Sequence, residues 1–289
     1  MIADYIFIAV AIIGTLACTI TDLKGRWAPD WINFFMIVFG LSGHALISVT
    51  QWSIWPIVYS AAAAGILYGV SYLLFYTGTW GGGDAKLFVG LGALLPVYQP
   101  AVSAPWPWLM TLWINMLIFA SIFGVVASFY LAAKHKEKFL SEFKTMVGKN
   151  KFISYGSLAL FVLPVIIYIL KMPTEIFLMS LLLVLLPAFY FVLKSVENSC
   201  MFRHVAPHKL VEGDWVAEDI TVGNYTYKPT RSGIEKNDIT KLIELEKSGK
   251  LKQIKIKDGL PHIPSMLAGL LVSIFYGDLM FAVAMGFLI

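Results

Sequence analysis

Residues 54–96 read IWPIVYSAAAAGILYGVSYLLFYTGTWGGGDAKLFVGLGALLP. Two apolar runs, 54–76 and 85–99, flank a short break that carries Gly81, Gly82, Gly83 and then a carboxylate, Asp84. About 20 apolar residues in an α-helix cross roughly 30 Å of hydrocarbon, because each residue rises about 1.5 Å. The first run has that length; the second is short and glycine-rich. An acid at the mouth of an apolar helix is costly in lipid, so it is a functional candidate.

The pattern extends along the whole chain. Of 289 residues, 58% are hydrophobic and 14% charged, with mean hydropathy +0.74, whereas a soluble domain carries about 25% charged residues. Apolar runs fall at 4–21, 32–50, 54–76, 85–99, 108–133, 153–170, 175–193 and 263–283. The expected fold is an all-α polytopic membrane protein, a bundle of about eight transmembrane helices (six to eight) with a small cytoplasmic α+β insert before the last one. Tyr5 to Ile20 lacks the basic lead-in and small-residue cleavage site of a removable signal peptide, so it is read as the first membrane helix.

The expected organisation is a membrane core at 1–133 carrying helices one to five, a basic cytoplasmic loop at 134–152, a further transmembrane hairpin at 153–193, a cytoplasmic insert at 194–262 and a last helix at 263–289. Short loops rich in Lys and Arg stay in the cytoplasm. With the amino terminus outside, Lys24, Arg26, Lys86, the run Lys134–Lys151 and the stretch Lys194–Lys257 are all cytoplasmic, and only Lys171 lies outside. The net charge of +4 follows from this topology and implies no nucleic-acid partner. The same reading puts the protein in the cell membrane, with the lipid bilayer as a standing partner.

Within the insert, Asp238 reads as the cap of a helix running to about Lys247 and stopped by Gly249, and Leu251–Lys257 alternates as a strand does. Gly223 and the pair Ser232-Gly233 read as turns. The loop Pro96–Trp108, rich in Pro and Trp, reads as an interfacial aromatic anchor. The two cysteines, Cys18 and Cys200, form neither a disulfide framework nor a zinc set; Cys18 reads as a small buried residue.

Asp22 closes the first apolar run. Thr15, Cys18, Thr19 and Asp22 recur at three- and four-residue spacing, so they share one helix face, and Gly14 lets a neighbour approach it. The topology puts Asp22 and Asp84 on one membrane side. Two close carboxylates share a proton, so one activates a water while the other protonates a peptide carbonyl oxygen and then the leaving nitrogen. Gly81, Gly82 and Gly83 leave bare backbone against which an extended peptide can hydrogen-bond. Pro261 and Pro264, flanking His262 and Ile263 at the entry to the last helix, free further backbone groups for a substrate strand or else make a rigid helix entry.

Other charges are weighed against this pair. Arg26, four after Asp22, is placed to pair with it if the helix continues to Pro29, or to meet lipid or a substrate loop. Lys86 points away from Asp84 and is expected to snorkel. Asp30 is a rival carboxylate that reads rather as a helix cap. Asp278 follows Gly277 near the end of the last run. The segment Glu212–Asp219 carries four acids and no Lys or Arg, suited to attract a basic peptide.

Asp22 at the end of helix one with Gly81-Gly82-Gly83-Asp84 at the start of helix four resembles the GxGD membrane aspartyl proteases of the type IV prepilin peptidase kind. The insert around Glu212-Gly213-Asp214-Trp215 and the Pro-rich entry to the last helix are similar to the archaeal prepilin and preflagellin peptidases, which lack the zinc module of bacterial enzymes. The resemblance implies a hydrolase, an aspartic endopeptidase that removes the basic leader from pilin-like or flagellin-like precursors at the cytoplasmic membrane face. It assigns Asp22 and Asp84 as catalytic, with no metal and no cofactor. The extra hairpin at 153–193 departs from simpler archaeal members. The alternative function is a proton-coupled transporter using Asp22 and Asp84 as relay carboxylates, which calls for acids near the bilayer midplane and an inverted repeat; a third is a scaffold in which both acids merely cap helices.

Overall fold

The computed structural model describes residues 2–223, 225–230, 233–257 and 259–286. Ser232, half of an expected turn, lies outside them. The chain begins with α1 (Ile2–Gly25), α2 (Asp30–Thr50), α3 (Trp55–Tyr76), α4 (Gly82–Leu94) and α5 (Trp108–Lys134). There follow α6 (Lys136–Lys149), α7 (Lys151–Leu160), α8 (Val162–Ile169) and α9 (Thr174–Cys200). The insert contains β1 (Phe202–Val205), β2 (Trp215–Val216), β3 (Ile220–Val222), β4 (Tyr225–Tyr227), α10 (Lys236–Lys247) and β5 (Ile254–Lys257); α11 (Ile263–Phe275) and α12 (Leu279–Ala284) close the described chain.

Among the described residues six helices are long and apolar enough to cross a membrane: Ala3–Gly25, Asp30–Thr50, Trp55–Tyr76, Trp108–Lys134, Lys151–Ile169 and Ile176–Cys200. The protein is a polytopic, predominantly α-helical membrane protein. Its fourth and last apolar runs form shorter helices: α4 and α11 each have 13 residues. The last run is not one continuous span, because Gly277 adopts φ +118° and Asp278 caps a new helix, α12. The basic stretch after α5 is helical, as α6.

Two compact units make up the chain, Met1–Phe123 with Val205–Ile289, and Gly124–His204. In the first, α4 is the buried centre. Every residue from Leu87 to Leu94 is buried, and α4 packs against both α2 and α3. Small residues set this approach. A Cβ on Gly40 would lie 2.6 Å from the Ala93 carbonyl carbon, and one on Gly92 would lie 2.9 Å from Leu67 Cδ1. In lipid, where apolar surface gains little from burial between helices, such close backbone contact and interhelical hydrogen bonds hold a bundle together. The Ser60 hydroxyl accordingly donates to the Ala93 carbonyl at 2.7 Å.

The insert has its own apolar centre, formed by Val205, Leu210, Val216, Ile220, Tyr227, Ile234, Leu242, Ile254 and Ile256. β2 pairs antiparallel with β5, Trp215 opposite Lys257 and Val216 opposite Ile256. β3 and β4 form a hairpin about Gly223, at φ +59°. The expected helix and strand are present, with Gly249 at φ +71° past the helix end. Asp238 is not the cap, however: Glu235 holds that position, and Asp238 accepts a hydrogen bond from the Tyr225 hydroxyl at 2.9 Å.

Two tryptophans of the loop after α4 pack against the protein. Trp108 is buried against Tyr98 and Trp106 donates to Asp278 at 2.8 Å. Asp278 is fully buried and fully used: it also accepts from the Thr111 hydroxyl and from the Phe281 amide, each at 2.8 Å. A buried carboxylate needs such partners to offset its desolvation. In the second unit α6, α7 and α8 pack on α9, with Phe143 edge-on to Phe191 and the Asn198 amide donating to Glu142 at 3.1 Å.

Candidate active site

The predicted face of α1 is buried as a unit. Thr15, Cys18, Thr19 and Asp22 are each at most 7% exposed, in a helix whose other faces carry exposed Ile13, Leu16 and Ile20. Cys18 is indeed a small buried group; its thiol points at the Asn33 side-chain oxygen at 3.7 Å. Gly14 lets Met36 of α2 come in close.

Asp22 meets the amino-terminal end of α11. The Ile263 amide donates to Asp22 Oδ2 at 3.0 Å. The first amides of a helix have no partner inside it, and the helix dipole puts positive charge there. Pro264, in the first turn, has no amide to satisfy, so the proline-flanked entry presents the Ile263 N–H to the acid. Pro261 is buried just before it.

Asp84 is the third residue of α4 and is half-buried. Its Oδ2 accepts from the Gly81 amide at 3.2 Å, closing the first turn. The charge of Asp84 acts on Asp22, and the charges of both act on the Cys18 thiol. The structure thus brings together the two acids that lie 62 positions apart in sequence, at one end of α1, α4 and α11.

The three glycines differ in surroundings. None of the three has a positive φ. A Cβ on Gly82 would touch only Phe75 at 3.7 Å and one on Gly81 only Asp84 itself at 3.4 Å, whereas one on Gly83 would lie 2.9 Å from Ala28 Cβ. Gly83 is therefore a packing position against the turn between α1 and α2, and its carbonyl accepts from Asn33 Nδ2 at 3.4 Å.

The other charges fall elsewhere. α1 ends at Gly25, with Arg26 at φ +61°, so the helix does not reach Pro29 and no ion pair with Asp22 forms among the described residues. Asp30 is the first residue of α2, not its cap, and Lys86 pairs with it at 2.7 Å and lies 5.6 Å from the Phe34 ring. Both side chains are well exposed, 40% and 59%. Of the acidic segment, Asp214 accepts from the Val211 amide at 2.8 Å and Glu218 lies 3.8 Å from Lys255.

Three neighbours of the acids were not singled out by sequence: Asn33, which joins α1 to the start of α4; the Ile263 amide; and His262, whose ring lies 5.3 Å from Trp80. A polar Asn in an apolar run was the one local signal; the other two depend on contacts more than 180 residues apart. A cavity lined by Tyr5, Phe7, His44, Leu94 and Tyr98 lies at the opposite end of α1 and is separate from the acids.

A family described as the type IV leader peptidase family matches residues 9–129, a segment that includes both Asp22 and Asp84. The chain is 33% identical over 151 residues to a preflagellin peptidase of Methanococcus voltae, covering 48% of this chain and 64% of that one. It is 33% identical over 96 residues to a preflagellin peptidase of Methanocaldococcus jannaschii, covering 33% and 41%. It is 20% identical to prepilin peptidase EppA of Methanothermobacter thermautotrophicus over 96% of both chains. The chain thus spans less than two thirds of the two preflagellin peptidases, and no solved structure matches it.

Proposed function

We propose, from the match of residues 9–129 to the type IV leader peptidase family, that this chain is a membrane aspartic endopeptidase that removes the basic leader from pilin-like or flagellin-like precursors. The observation that carries the proposal is that Asp22, buried beneath α11, feels the charge of Asp84 in the first turn of α4.

In the proposed reaction the pair holds one proton. The unprotonated carboxylate takes a proton from a water as its oxygen attacks the scissile carbonyl carbon, and the protonated one gives its proton to the carbonyl oxygen. The tetrahedral species then collapses: the C–N bond breaks, a proton passes to the nitrogen, and a carboxylic acid and an amine leave. The pair titrates as a unit, so the proton belongs to neither residue alone. The Ile263 amide, holding Asp22 Oδ2, keeps that carboxyl in one orientation for this exchange.

Gly81 and Gly82 are the bare backbone proposed to lie along the substrate, with Pro261 and Pro264 on the facing side and Gly83 setting their distance by packing. The active site is proposed to face the cytoplasm of the cell membrane, the side to which the lysine-rich segments assign these helix ends. The reaction as written uses neither metal nor organic cofactor. The carrier alternative has less support, since both acids sit at helix ends and not midway along a span.

The test is processing of a precursor with a basic leader and an apolar helix by membranes containing wild type, Asp22→Asn or Asp84→Asn. Each substitution is expected to abolish cleavage. Cleavage that survives either one refutes the acid pair.

A further inference from the structure

His262 is the residue next to the site that the reaction above leaves unused, and its ring is fixed on both sides. One face meets Trp80, the residue just before the glycine triplet, at 5.3 Å between ring centres. Its Nδ1 lies 3.4 Å from the Ser265 hydroxyl. That hydroxyl has a single proton, and it is directed at the His262 carbonyl at 2.6 Å. The Ser265 oxygen can then only accept from the ring, which puts the imidazole proton on Nδ1 and leaves Nε2 as a bare acceptor.

That Nε2 is buried and has no hydrogen-bond partner among the described residues. A buried acceptor without a donor is destabilising, so its place beside the acids calls for an explanation. His262 immediately precedes Ile263, whose amide holds Asp22, and the charge of Asp22 acts on the ring. What is missing at Nε2 is an N–H or O–H donor. An extended peptide laid over the acids carries such donors along its main chain.

We infer that His262 Nε2 accepts a hydrogen bond from a main-chain N–H of the substrate, next to the scissile bond, and so holds the peptide against Asp22 and Asp84. The inference rests on the proposed peptidase reading. It assigns His262 to substrate binding with no proton to transfer: the bond forms as the peptide enters and is released with the product. Trp80 fixes the ring plane, and Ser265 fixes the tautomer.

The test pairs two changes in the full-length protein in detergent, with a synthetic peptide made of a basic leader and the start of an apolar helix. One is His262→Phe, which keeps an aromatic ring against Trp80 but has no acceptor; the other replaces single amide N–H groups flanking the cleaved bond by ester oxygen. With wild-type protein, one ester position is expected to lower kcat/KM about fivefold, the worth of one neutral hydrogen bond. His262→Phe is expected to show that loss with the all-amide peptide and no further loss with the ester. His262→Gln, which offers an oxygen near the Nε2 position, is expected to stay within about twofold of wild type.

Losses that multiply, or an ester scan of wild type with no sensitive position, overturn the inference. The ester scan needs no variant, so it decides even if His262→Phe does not fold. Cleavage by Asp22→Asn or Asp84→Asn would instead overturn the peptidase reading, and failure of His262→Phe to differ from wild type while both Asp variants are inactive overturns only the role of His262.

Discussion

Replacing Gly83 by Ala separates two accounts of the glycine triplet. If the glycines serve backbone flexibility, the three positions should respond alike. The structure argues otherwise, because none of the three has a left-handed φ and only Gly83 is hemmed in. Its added Cβ would stand 2.9 Å from Ala28 Cβ and 3.3 Å from the Ala28 nitrogen, so reaching the 3.4 Å of ordinary contact needs a shift of about 0.5 Å. Neither partner has a side-chain torsion to turn, so the start of α4 must move, and Asp84 with it. Overpacking of this kind costs about 1–3 kcal/mol, and a misplacement of about 1 Å at a reacting group can cost about 100-fold in rate. We expect Gly83→Ala to lower the thermal midpoint by several degrees and cleavage by about tenfold, both read on detergent-purified protein. Gly82→Ala, whose Cβ meets only Phe75 at 3.7 Å, should keep its midpoint within about 1 °C. Equal midpoints for the two variants would refute the packing argument.

Asp30→Asn should leave precursor cleavage within about twofold of wild type, since its ion pair with Lys86 is exposed and such pairs are worth about 0–1 kcal/mol; inactivity would reinstate Asp30 as the partner of Asp84. Gly40→Ala, directed at the Ala93 backbone 2.6 Å away, should cost several kcal/mol and reduce the yield of folded protein, while Gly65→Ala, with nothing within 4 Å, serves as its neutral control. Asp278→Asn puts an amide against the donors of Trp106 and Thr111 and should destabilise by about 2–4 kcal/mol in thermal unfolding. Burial lowers the pKa of His262 below its ordinary 6.5, so below that pH the unfolded chain takes up a proton that the folded one resists. Stability present above pH 6.5 should therefore fall as the solution is acidified, and His262→Gln should lose less between pH 7 and 5; an unchanged difference between the two proteins across that range would contradict it.

Much of this was legible because lipid makes sequence unusually explicit. Apolar runs of about 20 residues have few outcomes other than a helix, so α1, α2, α3, α5 and α9 could be placed from hydropathy alone. Asp22 and Asp84 stood out because charge is rare inside such runs. What could not be read were details fixed by a distant partner. Gly90 and Gly92 look like weak points in a helix, yet α4 is the buried centre because those glycines admit α2 and α3. Asp278 looked like a residue at a helix end, and only the folded chain brings Trp106 and Thr111 to it across more than 160 positions. Arg26 had the spacing for a pair with Asp22, but the helix stops one residue earlier in a left-handed turn that no local pattern announced.

The lengths of α4 and α11 bear on how water enters a site built in a membrane. At 13 residues each is about 20 Å long, roughly 10 Å less than the thickness of a bilayer's hydrocarbon layer. α4 is wrapped by α2 and α3, so its short length is covered by the protein's own helices. Both short helices begin at the acids. A helix that starts within the bundle keeps its first turn among its neighbours, and Asp22, which meets the first turn of α11, is only 7% exposed. The proposed hydrolysis consumes a water at every turnover, so the helices that cover the acids also set the path by which that water reaches them.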